Sequence, residues 1–457
     1  MDNRNVALGS GSIGKLLLNL AVPTIVAQMV NLLYNIIDRI FIGRMPNGEL
    51  AMAGIGVAMP IIMLVSAFSA LIGSGGAPLV AIKMGEKDND EAEKIMSNSF
   101  STLIVLSLIL TTIFIVFKEQ ILWAFGASEA TIGYSMDYLT IYIIGTIFAL
   151  ISVGMNPFIN TQGFTKIGMF TVSIGALINI ILDPIFIFGF GMGVKGAALA
   201  TIIAQAVSAI WVLKFLLGKK SILKIRKKYL LLSKKVILPV LALGIAPFIM
   251  QSTESLVLIS LNNQLSKFGG DLAIGAMTIM SSIMQIITLP LMGLTQGAQP
   301  IISYNYGAKN LDRVKKAFKL LIISCLIYTV TMVTLIMLLP SVFVGIFNNK
   351  PELVEITSWA MRIYFPGMAI FGAQIACQQT FLALGEAKIS LLLALLRKVV
   401  LLVPLIFILP AILENGFQAV LLAEPISDIL AATTTLICFM IFYKKTLNSN
   451  LEGQQDI

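Results

Sequence analysis

Two carboxylates lie in stretches otherwise too apolar to hold a charge. Asp38 sits deep in "VNLLYNIIDRIFIG", and Asp183 in "NIILDPIFIFGF". An ionisable residue inside a membrane span costs roughly 2.5–3.5 kcal/mol on insertion scales, so each needs a reason to be there. Tyr34 precedes Asp38 by one helical turn and Asn179 precedes Asp183 by one turn, which puts each pair on one helix face. Pro184 has no N–H to give the carbonyl of Ile180, so a backbone oxygen is freed near the Asn179/Asp183 face. Two carboxylates, an amide and a loosened carbonyl suit a small hard cation or a shared proton. Neighbouring carboxylates in low dielectric do not both stay ionised, which makes one a proton carrier; a bound sodium ion instead favours both charges. The plainer reading is interhelical hydrogen bonding, with Asp38 paired to the adjacent Arg39.

The rest of the chain narrows the chemistry. There is no histidine, so proton transfer must use carboxylates and zinc hydrolysis lacks its usual ligands. The "GSGG" at Gly73–Gly76 has no context of a serine nucleophile, and no enzyme activity is expected. Glu254, Arg397, Lys398, Glu424 and Asp428 form a second set of ionisable residues within apolar runs. They read either as buried ion pairs that fix helix packing or, for Glu254, as a site for a cationic substrate.

The elements that position these residues are membrane helices. The chain is 57% hydrophobic and 12% charged, against about 25% charged in soluble domains. A run of about 20 apolar residues crosses the hydrocarbon core, and twelve such spans are expected, near 13–43, 51–82, 95–117, 134–160, 168–190, 195–217, 236–266, 271–303, 316–346, 355–383, 388–411 and 417–443. Lys219–Lys235 holds eight basic residues and no acid. In so apolar a chain it reads as a cytoplasmic loop and not as a nucleic-acid site. With twelve spans the basic breaks fall on one side, so both termini are expected in the cytoplasm.

The chain also repeats itself. Gly75, Pro78, Gly85, Lys87, Asp90 and Lys94 match Gly297, Pro300, Gly307, Lys309, Asp312 and Lys316 at a constant offset of 222 residues, as Gly163 matches Gly385 and Lys166 matches Lys388. Pro23 pairs with Pro247 at an offset of 224. Two parallel six-helix bundles are expected, at 1–218 and 236–457, joined by a basic cytoplasmic linker at 219–235. The positions matching Asn179, Asp183 and Asp38 are Leu401, Leu405 and Asn262, so the ion chemistry belongs to the first half.

These residues resemble the multidrug and toxic compound extrusion (MATE) transporters, especially the bacterial MepA-like branch. The resemblance spans nearly the whole chain. It rests on "AVPTIVAQMVNLLYNIIDRIFIG", on "INIILDPIFIFGFGMGVKGAALAT", on the Gly- and Pro-marked ends of spans 2 and 8, and on "AVLLAEPISD". It implies two six-helix bundles forming a V around a cleft, and export of organic, often cationic, compounds against entry of sodium or protons. It also implies a first-bundle network of Asp38 and Tyr34 with Tyr138 and Asn156 of span 4, Asn179 and Asp183 of span 5 and Thr201 of span 6. Glu254 falls about one position from the acid that NorM-like members carry in span 7. The span 10 acid of those members has no counterpart here.

The expected function is therefore secondary active efflux of lipophilic, cationic drugs across the cell membrane. Na+ or H+ is the coupling ion at Asp38, Asn179, Asp183 and Thr201. Pro23 and Pro184 bend their helices, no cofactor takes part, and the protein is a monomer. The alternative from the same superfamily is a flippase for a lipid-linked saccharide, which needs a basic cavity that Arg397 and Lys398 could line. A passive channel is the remaining class.

Overall fold

No water is available inside a bilayer to take up backbone N–H and C=O groups, so apolar runs of this length form helices that bond internally. The computed structural model describes residues 8–348 and 350–448. Among them ten helices are long and apolar enough to cross a membrane, and a bent pair makes an eleventh span. The first half contains α1 (Ile13–Gly43), α2 (Gly48–Gly85), α3 (Asn89–Ala124), the bent pair α4 (Ile132–Ile144) and α5 (Thr146–Thr161), α6 (Thr165–Pro184) with a wider π turn at Ile185–Gly189, and α7 (Val194–Leu217). The second half contains α8 (Lys234–Gly270), α9 (Leu272–Gly307), α10 (Leu311–Leu338), the short α11 (Pro340–Gly345), α12 (Pro351–Tyr364), α13 (Met368–Ala383), α14 (Ala387–Leu395), a π stretch at Leu396–Leu402, α15 (Val403–Ile412) and α16 (Gly416–Phe442). No strand occurs among the described residues. This is an all-α multi-pass membrane fold.

Three of the expected spans are broken, each for a local reason. The fourth bends by 59° between α4 and α5 at Gly145. A Cβ there would lie 2.4 Å from the Ile202 side chain, so only glycine lets α7 come this close. The expected tenth span, 355–383, is shared by α12 and α13 and interrupted at Pro366, which lacks an amide donor. Its first part, α12, carries Glu352, Glu355 and Arg362, which lower its apolar character. Gly367 lies at its break, 222 residues after Gly145, and a Cβ there would meet Pro425 of α16 at 2.5 Å. The ninth ends at Leu338 because Pro340 stops it, and α11 restarts there.

The repeat extends to the backbone. Lys87 and Lys309 both take left-handed conformations (φ 63° and 57°), as do Gly163 and Gly385 (φ 81° and 80°). The halves meet through close helix crossings that the same repeat relates. A Cβ on Gly85 would lie 2.0 Å from the Tyr304 carbonyl oxygen, and one on Gly307 would lie 2.0 Å from that of Ile82. Further along, α2 crosses α8, where a Cβ on Gly244 would be 1.7 Å from the Leu71 carbonyl. In the matching place α9 crosses α1, where Gly297 abuts Ala21 and Gly293 abuts Ile25. Pro23 is buried in this second crossing, and the Thr24 hydroxyl donates to the Gly293 carbonyl at 2.6 Å. As a result the two apolar cores exchange helix ends. Leu17, Leu20 and Ala21 of α1 belong to the second-half core, and Val236 and Val240 of α8 to that of the first half.

The basic linker is docked on the first half. Buried Glu93 of α3 accepts from the Lys224 amide at 2.9 Å and pairs with Arg226 at 2.7 Å. Asn98 holds the Tyr229 carbonyl and the Ser233 amide, and Gln162 accepts from the Leu223 amide. Asp90 takes the Tyr229 hydroxyl and Lys228. Removing the Glu93 charge loosens this dock only modestly, because Arg226 is half exposed and its pairing is screened. Glu93→Gln should therefore raise the rate of trypsin nicking within the linker roughly fivefold, as timed on gels at neutral pH. An unchanged rate would mean that backbone contacts alone hold the linker.

Candidate cation site in the first half

Close packing of α6 and α7 assembles the site. A Cβ on Gly175 would be 2.5 Å from the Ser208 hydroxyl, which donates to the Thr171 carbonyl. At the other end a Cβ on Gly196 would be 2.8 Å from the Phe186 backbone. Between these two approaches Asn179 and Asp183 of α6 face Thr201 of α7, and all three side chains are buried. With its amide set to satisfy both ends, Asn179 donates to Asp183 Oδ2 at 2.9 Å and accepts from the Thr201 hydroxyl and amide at 3.3 and 3.2 Å. Pro184 ends the regular turns immediately after Asp183, and the chain continues as the π turn at Ile185–Gly189. The missing proline donor thus appears as a change of helix pitch beside the carboxylate.

Asp38 of α1 closes the site from the other side, against Asp183. Its Oδ1 is buried without a hydrogen-bond partner. Arg39 is exposed and forms no ion pair with Asp38 among the described residues, so the expected alternative pairing is not formed. Tyr34 and Tyr138 lie beside Thr201 and Asp38. The site therefore joins α1, α4, α6 and α7, and presents two carboxylates, an amide and a hydroxyl that form no ion pair with a basic side chain among the described residues. Such an all-oxygen set can take a hard monovalent cation or a proton.

Not every expected residue joins it. The Asn156 amide donates to the Gly168 carbonyl at 3.3 Å. Gly168 is about 16 Å along α6 from Asn179, at 1.5 Å rise per residue. Glu254 belongs to the second half, where it pairs with Lys398 at 2.6 Å. Two neighbours of the site are not among the expected residues. Tyr142 is buried and stacks on Tyr138 with ring centroids 6.2 Å apart, and Gln205 lies beside it. The signal was present: each falls one turn after an expected residue, Tyr138 and Thr201, on the same face.

The MatE family matches this chain twice, over residues 23–185 and 245–408, in register with the two halves. The multidrug export protein MepA of Staphylococcus haemolyticus is 27% identical over 422 residues, covering 92% of each chain. MepA of Staphylococcus aureus strain MSSA476 is 25% identical over 443 residues, covering 96% of this chain and 97% of its own. Among solved structures, an outward-facing multidrug resistance MATE family transporter superposes with a TM-score of 0.90 over 97% of this chain and 99% of its own, at 22% identity. A MATE transporter in its straight conformation superposes with a TM-score of 0.91 over the same shares, also at 22%. Matched in both repeats and over nearly its full length, this chain belongs to the MatE family and is similar to MepA.

Proposed function

We propose that the protein is a secondary active multidrug exporter that moves lipophilic organic cations out of the cell in exchange for Na+ or H+. The observation that carries this reading is the pairing of Asp38 and Asp183 inside the span region without a basic partner. A net negative, oxygen-lined site there is costly unless a cation or proton occupies it in part of a cycle. Binding there drives transport only if its affinity differs between the two end states. Asp38 stands on α1, which crosses to the other half at Pro23, so a charge change at Asp38 acts on a helix that both halves share. The relatives' names supply the substrate class, and the oxygen ligands supply the ion class. The basic loops support a topology with both termini in the cytoplasm.

The flippase alternative needs free cations for a pyrophosphate. Arg397 and Lys398 are both engaged with carboxylates, which disfavours it. The test is ethidium efflux from proteoliposomes under an imposed sodium gradient or pH gradient, each without the other. One gradient should accelerate efflux several-fold over the gradient-free rate and so name the ion. Efflux indifferent to both gradients would overturn the reading and leave a passive channel.

A further inference from the structure

The docked linker keeps a face that neither half of the bundle covers. Ser221, Leu223 and Ile225 alternate into the first half and are buried. Buried Asn98 of α3 then grips the chain on both sides of a short bulge. It donates to the Tyr229 carbonyl at 2.9 Å and accepts from the Ser233 amide at 2.8 Å. Between those two anchors Leu231 and Leu232 turn outward. Leu231 is 87% exposed, the highest value for a large hydrophobic side chain among the described residues, and Leu232 is 49% exposed. The bulge is thus fixed from inside while it presents two leucines to the outside. Charge is sorted in the same way. Arg226 and Lys228 are paired with Glu93 and Asp90 of the first half. Lys227, Lys234 and Lys235, all within four residues of Leu231, are exposed and form no ion pair among the described residues. The linker also runs along a membrane boundary. It leaves α7 at exposed Leu217 and enters α8 at Lys234. Exposed Leu238 follows about 6 Å further along α8, at 1.5 Å rise per residue. Exposed leucines on spanning helices face lipid, so both ends of the linker stand at the edge of the hydrocarbon.

We infer that the linker is a binding surface for anionic phospholipid at the membrane face it occupies. Leu231 and Leu232 sit at the boundary of headgroups and acyl chains, and Lys227, Lys234 and Lys235 meet the phosphates. Two leucines held out by a buried clamp are unfavourable in water, and a bilayer surface removes that cost by taking them out of it. Two apolar side chains alone hold a membrane only weakly, so stable contact needs a second attraction from basic residues beside them. The lysines flank the leucines on both sides and supply it. Neutral headgroups would accept the leucines but leave those ammonium groups without a counter-charge, which selects the anionic class. Each lysine near such a surface favours it roughly fivefold. A nucleic acid fits this face poorly, because strand binding uses open aromatic rings for base stacking. The one aromatic residue of the linker, Tyr229, has its hydroxyl on Asp90 and its ring 4.3 Å from the Lys228 ammonium. The two leucines would also stay in water.

Spin-label depth measurements on the full-length protein in nanodiscs decide it. A nitroxide is attached through Leu231→Cys in a Cys438→Ser background, since Cys325 and Cys377 are buried. In phosphatidylcholine discs containing one quarter phosphatidylglycerol, the label should collide more with oxygen than with a water-soluble nickel chelate. A label attached through Asn310→Cys, in an exposed turn, should show the reverse. A Leu231→Cys label as open to nickel as the Asn310→Cys label would overturn the lipid surface. So would a single-stranded oligonucleotide that shields the label better than phosphatidylglycerol does. Titrating phosphatidylglycerol into phosphatidylcholine discs then tests the lysines. Lys234→Gln should raise the fraction needed for half protection roughly fivefold, and molar salt should raise it in the parent by screening. An unchanged fraction in Lys227→Gln/Lys234→Gln/Lys235→Gln would overturn the assignment of the headgroups to these lysines. Neither measurement uses a transported compound, so the outcome is independent of the efflux reading above.

Discussion

Asp183→Asn is expected to leave a folded, membrane-inserted protein whose gradient-driven ethidium efflux falls to the level of empty liposomes. The substitution keeps the size of the side chain and an oxygen that can accept from Asn179, so the contact between α6 and α7 survives. It removes the ability to carry a charge or take up a proton, and with it any difference in ion affinity between the two end states. Without that difference a gradient does no work on the conformational equilibrium. Arg39→Gln is the matching control. Arg39 is exposed and unpaired with Asp38, so efflux should remain within about twofold of the parent, the scale of a neutral surface change. Normal gradient-driven efflux by Asp183→Asn would sink the proposed coupling site.

Gly85→Ala and Gly307→Ala should each open the seam between the halves, and by the same amount. Each added Cβ would sit 2.0 Å from a backbone carbonyl oxygen of the other half, and a helix backbone cannot rotate aside as a flexible side chain can. Overpacking of this kind costs about 1–3 kcal/mol, which shifts the balance of end states roughly five- to 150-fold. Single-molecule distances between labels at the Asp88 and Asn310 turns should lengthen, and ethidium efflux should drop in proportion. Gly133→Ala, where a Cβ meets nothing within 4 Å, should change neither. Unequal effects of the two seam substitutions would contradict the repeat-related geometry of the crossing.

Much of the site was legible because its signals are local. Asn179 with Asp183, and Tyr34 with Asp38, are one-turn pairs, and one-turn spacing is a property of any helix. Pro184 announced a changed turn because a missing donor acts on its own helix. The resemblance added Tyr138 and Thr201, which do gather there. It also added Asn156, which instead bonds Gly168, because the face a residue shows at one level of a bent helix does not fix which residue of the next helix it meets. Glu254 had two readings of equal standing. Its partner, Lys398, is 144 residues away, and no spacing rule connects them.

The helical class, the two-fold repeat and the carriers of charge follow from the sequence alone. Apolar length, residue periodicity and matched Gly, Pro and Lys positions are short-range quantities that one chain displays directly. Which helix meets which does not follow from them. The exchange of α1 and α8 between the two cores, the docking of the basic linker on α3 and the meeting of three carboxylates with two cations in the second half all depend on contacts between residues far apart in the chain. Those contacts are set by where glycines let backbones touch and where buried charges find partners, and both are settled only when the whole bundle packs.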